Sequence, residues 1–133
     1  MRRLLLATAA LGLLASPAFA HCDSMDGPVV QDAQRALKAQ DVTPVLKWIT
    51  AEDEAEIQSA FDMALVVRDE TDAAKAVADQ YFFETLVRVH RASEGEGFTG
   101  LKPAGSVQPA IAAADQALEQ GNVEALADEL ASA

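Results

Sequence analysis

Cysteine and histidine are scarce in this 133-residue chain, which has one Cys and two His. A single Cys cannot close a disulfide within the chain, so the fold must hold by packing alone. Aromatic residues are few, at 5%, and the core therefore falls to Ala, Leu and Val. Basic residues are also short: 10 Lys+Arg stand against 21 Asp+Glu, a formal net charge of -11. That balance excludes nucleic acid and anionic lipid as partners, because both need a basic footprint. The chain has no G-x-G-x-x-G, no Walker A loop, no zinc-ribbon spacing and no G-x-S-x-G, so the chemistries those motifs serve have no support here. Half of the residues are apolar. That is enough for one core, and the length allows one domain.

The N-terminus reads as a secretory signal peptide over residues 1–20. Arg2 and Arg3 give a positive start, and Leu4 to Leu14 is an apolar run of eleven residues, too short to span a bilayer. Ser16-Pro17 breaks the run, and Ala18-Phe19-Ala20 is an A-x-A cleavage site. His21 stands directly before Cys22, where a lipidated Cys would need a small residue, so lipidation is not expected. No second long apolar run follows. The expected product is soluble, periplasmic or secreted, with no membrane association after cleavage. It starts at His21 with 133 - 20 = 113 residues and a charge of 8 - 21 = -13.

The mature chain, residues 21–133, reads as an all-α bundle built from helical hairpins. Gly27-Pro28 opens a helix over Val29–Gln40, with Val30, Ala33, Ala36 and Leu37 as its apolar stripe. After Asp41-Val42, Thr43 is expected to cap a short helix that carries Val45, Leu46, Trp48 and Ile49. Thr50 with Asp53 resembles a capping box, and Ile57, Phe61, Ala64 and Leu65 mark one face of a helix ending near Arg68. Glu54 and Glu56 read as a solvated acidic helix start. Thr71 is expected to cap the longest helix, Asp72 to Ala92, whose inner surface takes Ala73, Val77, Phe82, Phe83, Leu86, Val87 and His90. Glu84 and Arg88, four apart, are expected to pair. Residues 94–107 hold four of the seven glycines, a loop long enough to be functional or mobile. Pro109 restarts a helix, Gly121 ends it, and a last helix is expected from Asn122 to about Leu130. An internal echo at an offset of 81 aligns Pro28, Ala33, Ala36, Leu37 and Val42 with Pro109, Ala114, Ala117, Leu118 and Val123. Either a duplication or the general likeness of Ala-rich hairpins accounts for it.

Chemistry concentrates in a hook, residues 21–27. Two of the mature chain's three His and Cys residues occupy its first two positions. Cleavage frees an α-amine on His21, so amine, imidazole, the Cys22 amide and the Cys22 thiolate can converge from two residues. Asp23, Met25 and Asp26 follow within reach. Such donors suit Ni(II) or Cu(II) in a planar field, and thiolate with thioether suits Cu(I). His90 is read in two ways, as a buried structural histidine beside Phe83, Leu86 and Val87, or as a further ligand.

The start His21-Cys22-Asp23 with Gly27 resembles the nickel hook of nickel superoxide dismutases, whose pattern is His-Cys-x-x-Pro-Cys-Gly-x-Tyr. Here Met25 stands at the Pro, Asp26 at the second Cys and Val29 at the Tyr. The resemblance implies a nickel ion on a small helical bundle, with the second thiolate replaced. Over the whole mature chain, the stretches from His21 to Val29, Glu52 to Ile57, Tyr81 to Arg91 and Gly100 to Gly105 resemble an uncharacterised family of exported bacterial proteins. That resemblance implies export and a helical domain.

Three functions follow. The first is an exported metal-binding protein with redox activity, its ion held by His21 and Cys22 with Asp26 or His90 as a further ligand. The second is a metal carrier using the same hook. The third is a metal-free helical interaction module in which Cys22 is a free or cross-linking thiol. A homo-oligomer is compatible with each.

Overall fold

The computed structural model describes residues 21–107 together with 109, 113, 114, 117, 121 and 122. The expected signal peptide, most of the helix expected from Pro109 and nearly all of the expected last helix lie outside the described residues. Among residues 21–107, four α-helices follow in order: α1 (Pro28–Ala39), α2 (Thr43–Leu46), α3 (Glu54–Val67) and α4 (Asp72–Ser93), with a 3-10 turn at Ala51–Asp53 leading into α3. Among the described residues there is no strand, only one isolated parallel bridge between Ser24 and Lys102. The all-α architecture expected from the apolar spacing is the one observed. No helix among the described residues is long and apolar enough to cross a membrane.

Local chemistry sets the boundaries. Pro28 fits the first turn of α1, where its missing N–H would have no partner. α1 stops at Gln40, which takes a left-handed conformation (φ 54°) so that Asp41 N–H reaches back to the Ala36 carbonyl. Asp41 Oδ1 then accepts from Thr43 N–H at 3.0 Å. Asp41, not Thr43, therefore supplies the side-chain acceptor at the start of α2. Thr50 Oγ1 donates to Asp53 Oδ2 rather than to a backbone group, and the chain enters α3 through the 3-10 turn. Thr71 caps α4 as expected, accepting from Ala74 N–H at 3.0 Å.

The core forms where α3 and α1 pack on α4. Val29, Val30, Ala33 and Leu37 from α1 meet Ile57, Phe61 and Ala64 from α3 and Phe82, Leu86 and Val87 from α4, all buried. Phe61 and Phe82 meet edge to face, with centroids 5.3 Å apart. Two expectations fail on α4. Ala73 and Val77 face outward, Val77 at 71% exposure, because the buried stripe enters the first turns through Ala78 instead. Arg88 does not pair with Glu84. It reaches across to Glu56 on α3, while Glu84 accepts from Gln80 Nε2 at 2.7 Å.

Two ion clusters, each centred on a carboxylate with little exposure, tie the helices. Asp32 on α1 accepts from Trp48 Nε1 at 2.8 Å and pairs with Lys47 and Arg35. Arg68, just past α3, clamps Asp79 of α4 at 2.9 and 3.2 Å and also reaches the Leu37 carbonyl of α1. Beyond the loop, Pro109, Ala113, Ala114 and Ala117 are helical. Gly121 is left-handed (φ 67°) and Asn122 N–H reaches the Ala117 carbonyl at 2.8 Å. At an offset of 81, this repeats the Gln40 and Asp41 termination of α1.

Candidate functional site: the N-terminal hook

Residues 21–27 form a closed turn on the C-terminal end of α4. Ser24, wholly buried, donates its N–H and its Oγ to the His21 carbonyl at 3.3 and 3.0 Å. Gly27 N–H donates to Ser24 O at 2.9 Å. The His21 carbonyl lies so close to Gly27 that a Cβ there would sit 2.0 Å from it. Gly27 is needed for this approach rather than for its backbone angle, which is extended (φ -76°).

The Gly-rich segment 94–107 folds back and pins the hook. Lys102 N–H donates to Asp23 O at 2.8 Å, and Met25 N–H donates to Lys102 O at 3.0 Å. Gly105 N–H donates to Asp26 Oδ2 at 2.7 Å. That bond, with help from Ser24, holds the Asp26 carboxyl below its usual range. Asp26 was expected as a metal ligand. The structure places it exposed at the rim, with one carboxylate oxygen engaged by the loop.

Beneath the hook lie three polar side chains. Asp23 is 2% exposed; its Oδ1 sits 3.7 Å from Arg91 Nε, and this oxygen has no hydrogen-bond partner among the described residues. Burial pushes its carboxyl above the usual range, although Arg91, Lys102 and His90 pull the other way. Arg91 is itself buried and runs toward Gly97 and Glu96 of the loop. Sequence reasoning placed Asp23 only within reach of the hook's donors and missed Arg91 as a member of the site. An Arg on the inner face of the last turn of α4 was the available signal, since a buried Arg calls for an acidic partner.

His90 is 6% exposed and faces inward, so the reading of a buried histidine holds for its position. Its Nδ1 lies 2.8 Å from the Trp48 carbonyl, and its ring meets Trp48 edge to face at 5.5 Å. A carbonyl only accepts, so Nδ1 carries a proton and donates. Nε2 is buried, has no hydrogen-bond partner among the described residues, and faces Glu94 Oε2 at 3.7 Å. Cys22 is half-buried and packs against the core, as does Met25; His21 is half-buried. Among the described residues, no three His, Cys, Asp or Glu side chains are gathered as a metal-holding group.

A small all-α protein with its N-terminal turn clamped by a glycine-rich return loop is the class that these features define. The chain belongs to the family of unknown function DUF6448, which it matches over residues 26–133. The match begins at Asp26, so His21 and Cys22 precede it. No curated protein and no solved structure matches the chain.

Proposed function

We propose that this is an exported transition-metal-binding protein. In this reading Ni or Cu is held at the mature N-terminus by the His21 amine and imidazole and the Cys22 thiolate, with Asp26 or His90 as a further ligand. The observation that carries it is the state of His90. The Trp48 carbonyl fixes its Nδ1–H, the usual outer support of a metal-bound imidazole, and its buried Nε2 has no hydrogen-bond partner among the described residues. The clamped hook adds to this, because a chelate whose backbone is already ordered loses less entropy on binding. Elemental analysis of protein purified from the native export compartment, with an intact mass starting at His21, is the deciding experiment. One Ni or Cu per chain is expected. A thiolate-to-metal charge-transfer band should vanish in Cys22→Ser. One Gly added before His21 should weaken binding strongly, since it moves the amine out of the chelate. Equal affinity in the Gly-extended protein would remove the hook from consideration. Turnover of superoxide or peroxide by the loaded protein separates a redox enzyme from a carrier.

The start of the family match at Asp26 favours a second reading, a metal-free helical module whose Cys22 is a free or cross-linking thiol. Metal-free protein from the export compartment would establish it.

A further inference from the structure

The return loop meets both candidate further ligands, one at each end. At its start, Glu94 Oε2 stands 3.7 Å from the buried His90 Nε2. Further along, Lys102 N–H donates to Asp23 O, and Lys102 O accepts from Met25 N–H. Near its end, Gly105 N–H donates to Asp26 Oδ2 at 2.7 Å, across 79 residues of sequence. Between Glu94 and Lys102, Phe98 and Leu101 pack against the core. The attachment is sparse. Ser24 and Lys102 form an isolated bridge, not a rung of a sheet, so its two backbone bonds have no neighbouring ladder to support them. Gly95 and Gly100 take left-handed backbone (φ 79° and 92°), and no described atom lies within 4 Å of where a Cβ would stand, so these joints are not locked by packing. The bond at Asp26 differs from the other two. Its acceptor is charged, which makes it roughly twice as strong as a neutral one, and Gln31 of α1 anchors the same residue by donating to its carbonyl at 2.6 Å.

We propose that residues 94–105 form a lid on the hook and that the Asp26 carboxylate is its latch rather than a metal ligand. An ion drawn to this carboxylate would compete with Gly105 for it, whereas His90 Nε2 offers a lone pair that no described group takes. The consequence for the ion rests on the metal reading above. Asp26 is then a positioning residue that sets how fast Ni or Cu enters and leaves, and His90 is the further ligand. Opening needs three bonds to break, at Met25, Lys102 and Gly105, and the swing is taken up at the glycine joints.

Hydrogen exchange on the metal-free mature chain reads the lid through the Met25, Lys102 and Gly105 amides, which all cross from loop to hook. Asp26→Ala should speed all three about tenfold or more and leave Leu37 and Leu86 unchanged. Asp26→Asn keeps a carbonyl acceptor for Gly105 N–H and should stay close to the parent. Ni(II) and Cu(II), each added alone, give the second readout. Asp26→Ala should speed both uptake and release into excess EDTA while Kd changes by about threefold or less, because a lid that does not touch the ion favours neither state. Asp26→Asn, which keeps the latch but is a poor ligand, should bind as the parent does. Faster exchange at Gly105 alone would overturn the lid. Weaker binding in Asp26→Asn, with uptake unchanged and release faster, would make Asp26 a ligand and overturn the latch. The two readings fail separately. A parent chain that binds neither ion but shows the expected exchange refutes the metal reading and keeps the lid. A parent chain that binds an ion, with all three amides indifferent to Asp26→Ala, does the reverse.

Discussion

Two aspartates in this protein are equally buried and oppositely disposed. Asp32 is 3% exposed and Asp23 is 2% exposed. Burial pushes both carboxyls upward. At Asp32, hydrogen bonds from Lys47, Trp48 and Arg35 outweigh it, and the carboxyl sits below its usual range. At Asp23 burial wins: Oδ1 lies 3.7 Å from Arg91 Nε and has no hydrogen-bond partner among the described residues, and the carboxyl sits above its usual range. Burial alone therefore does not decide whether a carboxylate is a strut; the donors that reach it do. Asp32 joins α1 to the turn after α2. Asp23 lies under the hook beside Arg91 and His90, and there Asp23 Oδ1 and His90 Nε2 are buried without a hydrogen-bond partner among the described residues.

The largest effect that follows is on stability. Asp32→Ala strands the Trp48 N–H and releases two cations, and it should cost about 3 kcal/mol in urea unfolding. Asp23→Asn keeps the shape and removes the difficult charge, and should change stability by about 1 kcal/mol or less. Equal losses at the two positions would break the comparison. Gly27→Ala comes next. Its Cβ would meet the His21 carbonyl at 2.0 Å, and the hook should release while the core stays folded. That limits the loss to about 2 kcal/mol, and metal binding, where present, should fall with it.

The pH dependence sharpens the comparison. Asp32 and Asp79 have folded pKa values depressed below 3.8. Their stabilisation is present above that value and is lost as pH falls through the folded pKa. Asp23 has the opposite sign, with a folded pKa raised above 3.8. The folded state favours its protonated form, so its contribution is present below 3.8 and is lost as pH rises through the raised value. Asp23→Asn should therefore gain on the parent chain as pH rises from about 4. Urea midpoints measured across pH 3 to 7 would show the two curves diverging toward neutral pH; parallel curves would mean that Asp23 titrates normally.

Much of the bundle was legible from period and caps. The stripe of Val30, Ala33, Ala36 and Leu37, the Thr71 cap and the stop at Arg68 all follow from local rules, and the structure has them. Val77 was misplaced because a 22-residue helix buries different sides along its length, and helical spacing alone does not say where the partner helices lie. The Arg88 partner was misassigned for a related reason. Spacing offered Glu84 on the same helix, while packing brought Glu56 from α3. The hook's position was not legible at all. The pairing of Ser24 with Lys102 depends on the return path of the 94–107 loop. No pattern within residues 21–27 encodes that path.

The smallest expected effect tests whether the rule drawn from the aspartates extends to arginines. Arg68 and Asp79 have side chains only 12% and 14% exposed, and Arg68 also reaches Leu37 O. Arg88 and Glu56 are 50% and 51% exposed. Both are ion pairs between two elements, but water can replace the second one. Arg68→Ala leaves Asp79 half-buried with only Lys75 beside it, and should cost about 2 kcal/mol. Arg88→Ala leaves both groups solvated and should cost about 0.5 kcal/mol or less, falling further in 0.5 M salt. A loss at Arg88 as large as that at Arg68 would mean that its aliphatic stem carries packing energy. Arg88→Met would then restore stability where Arg88→Ala does not.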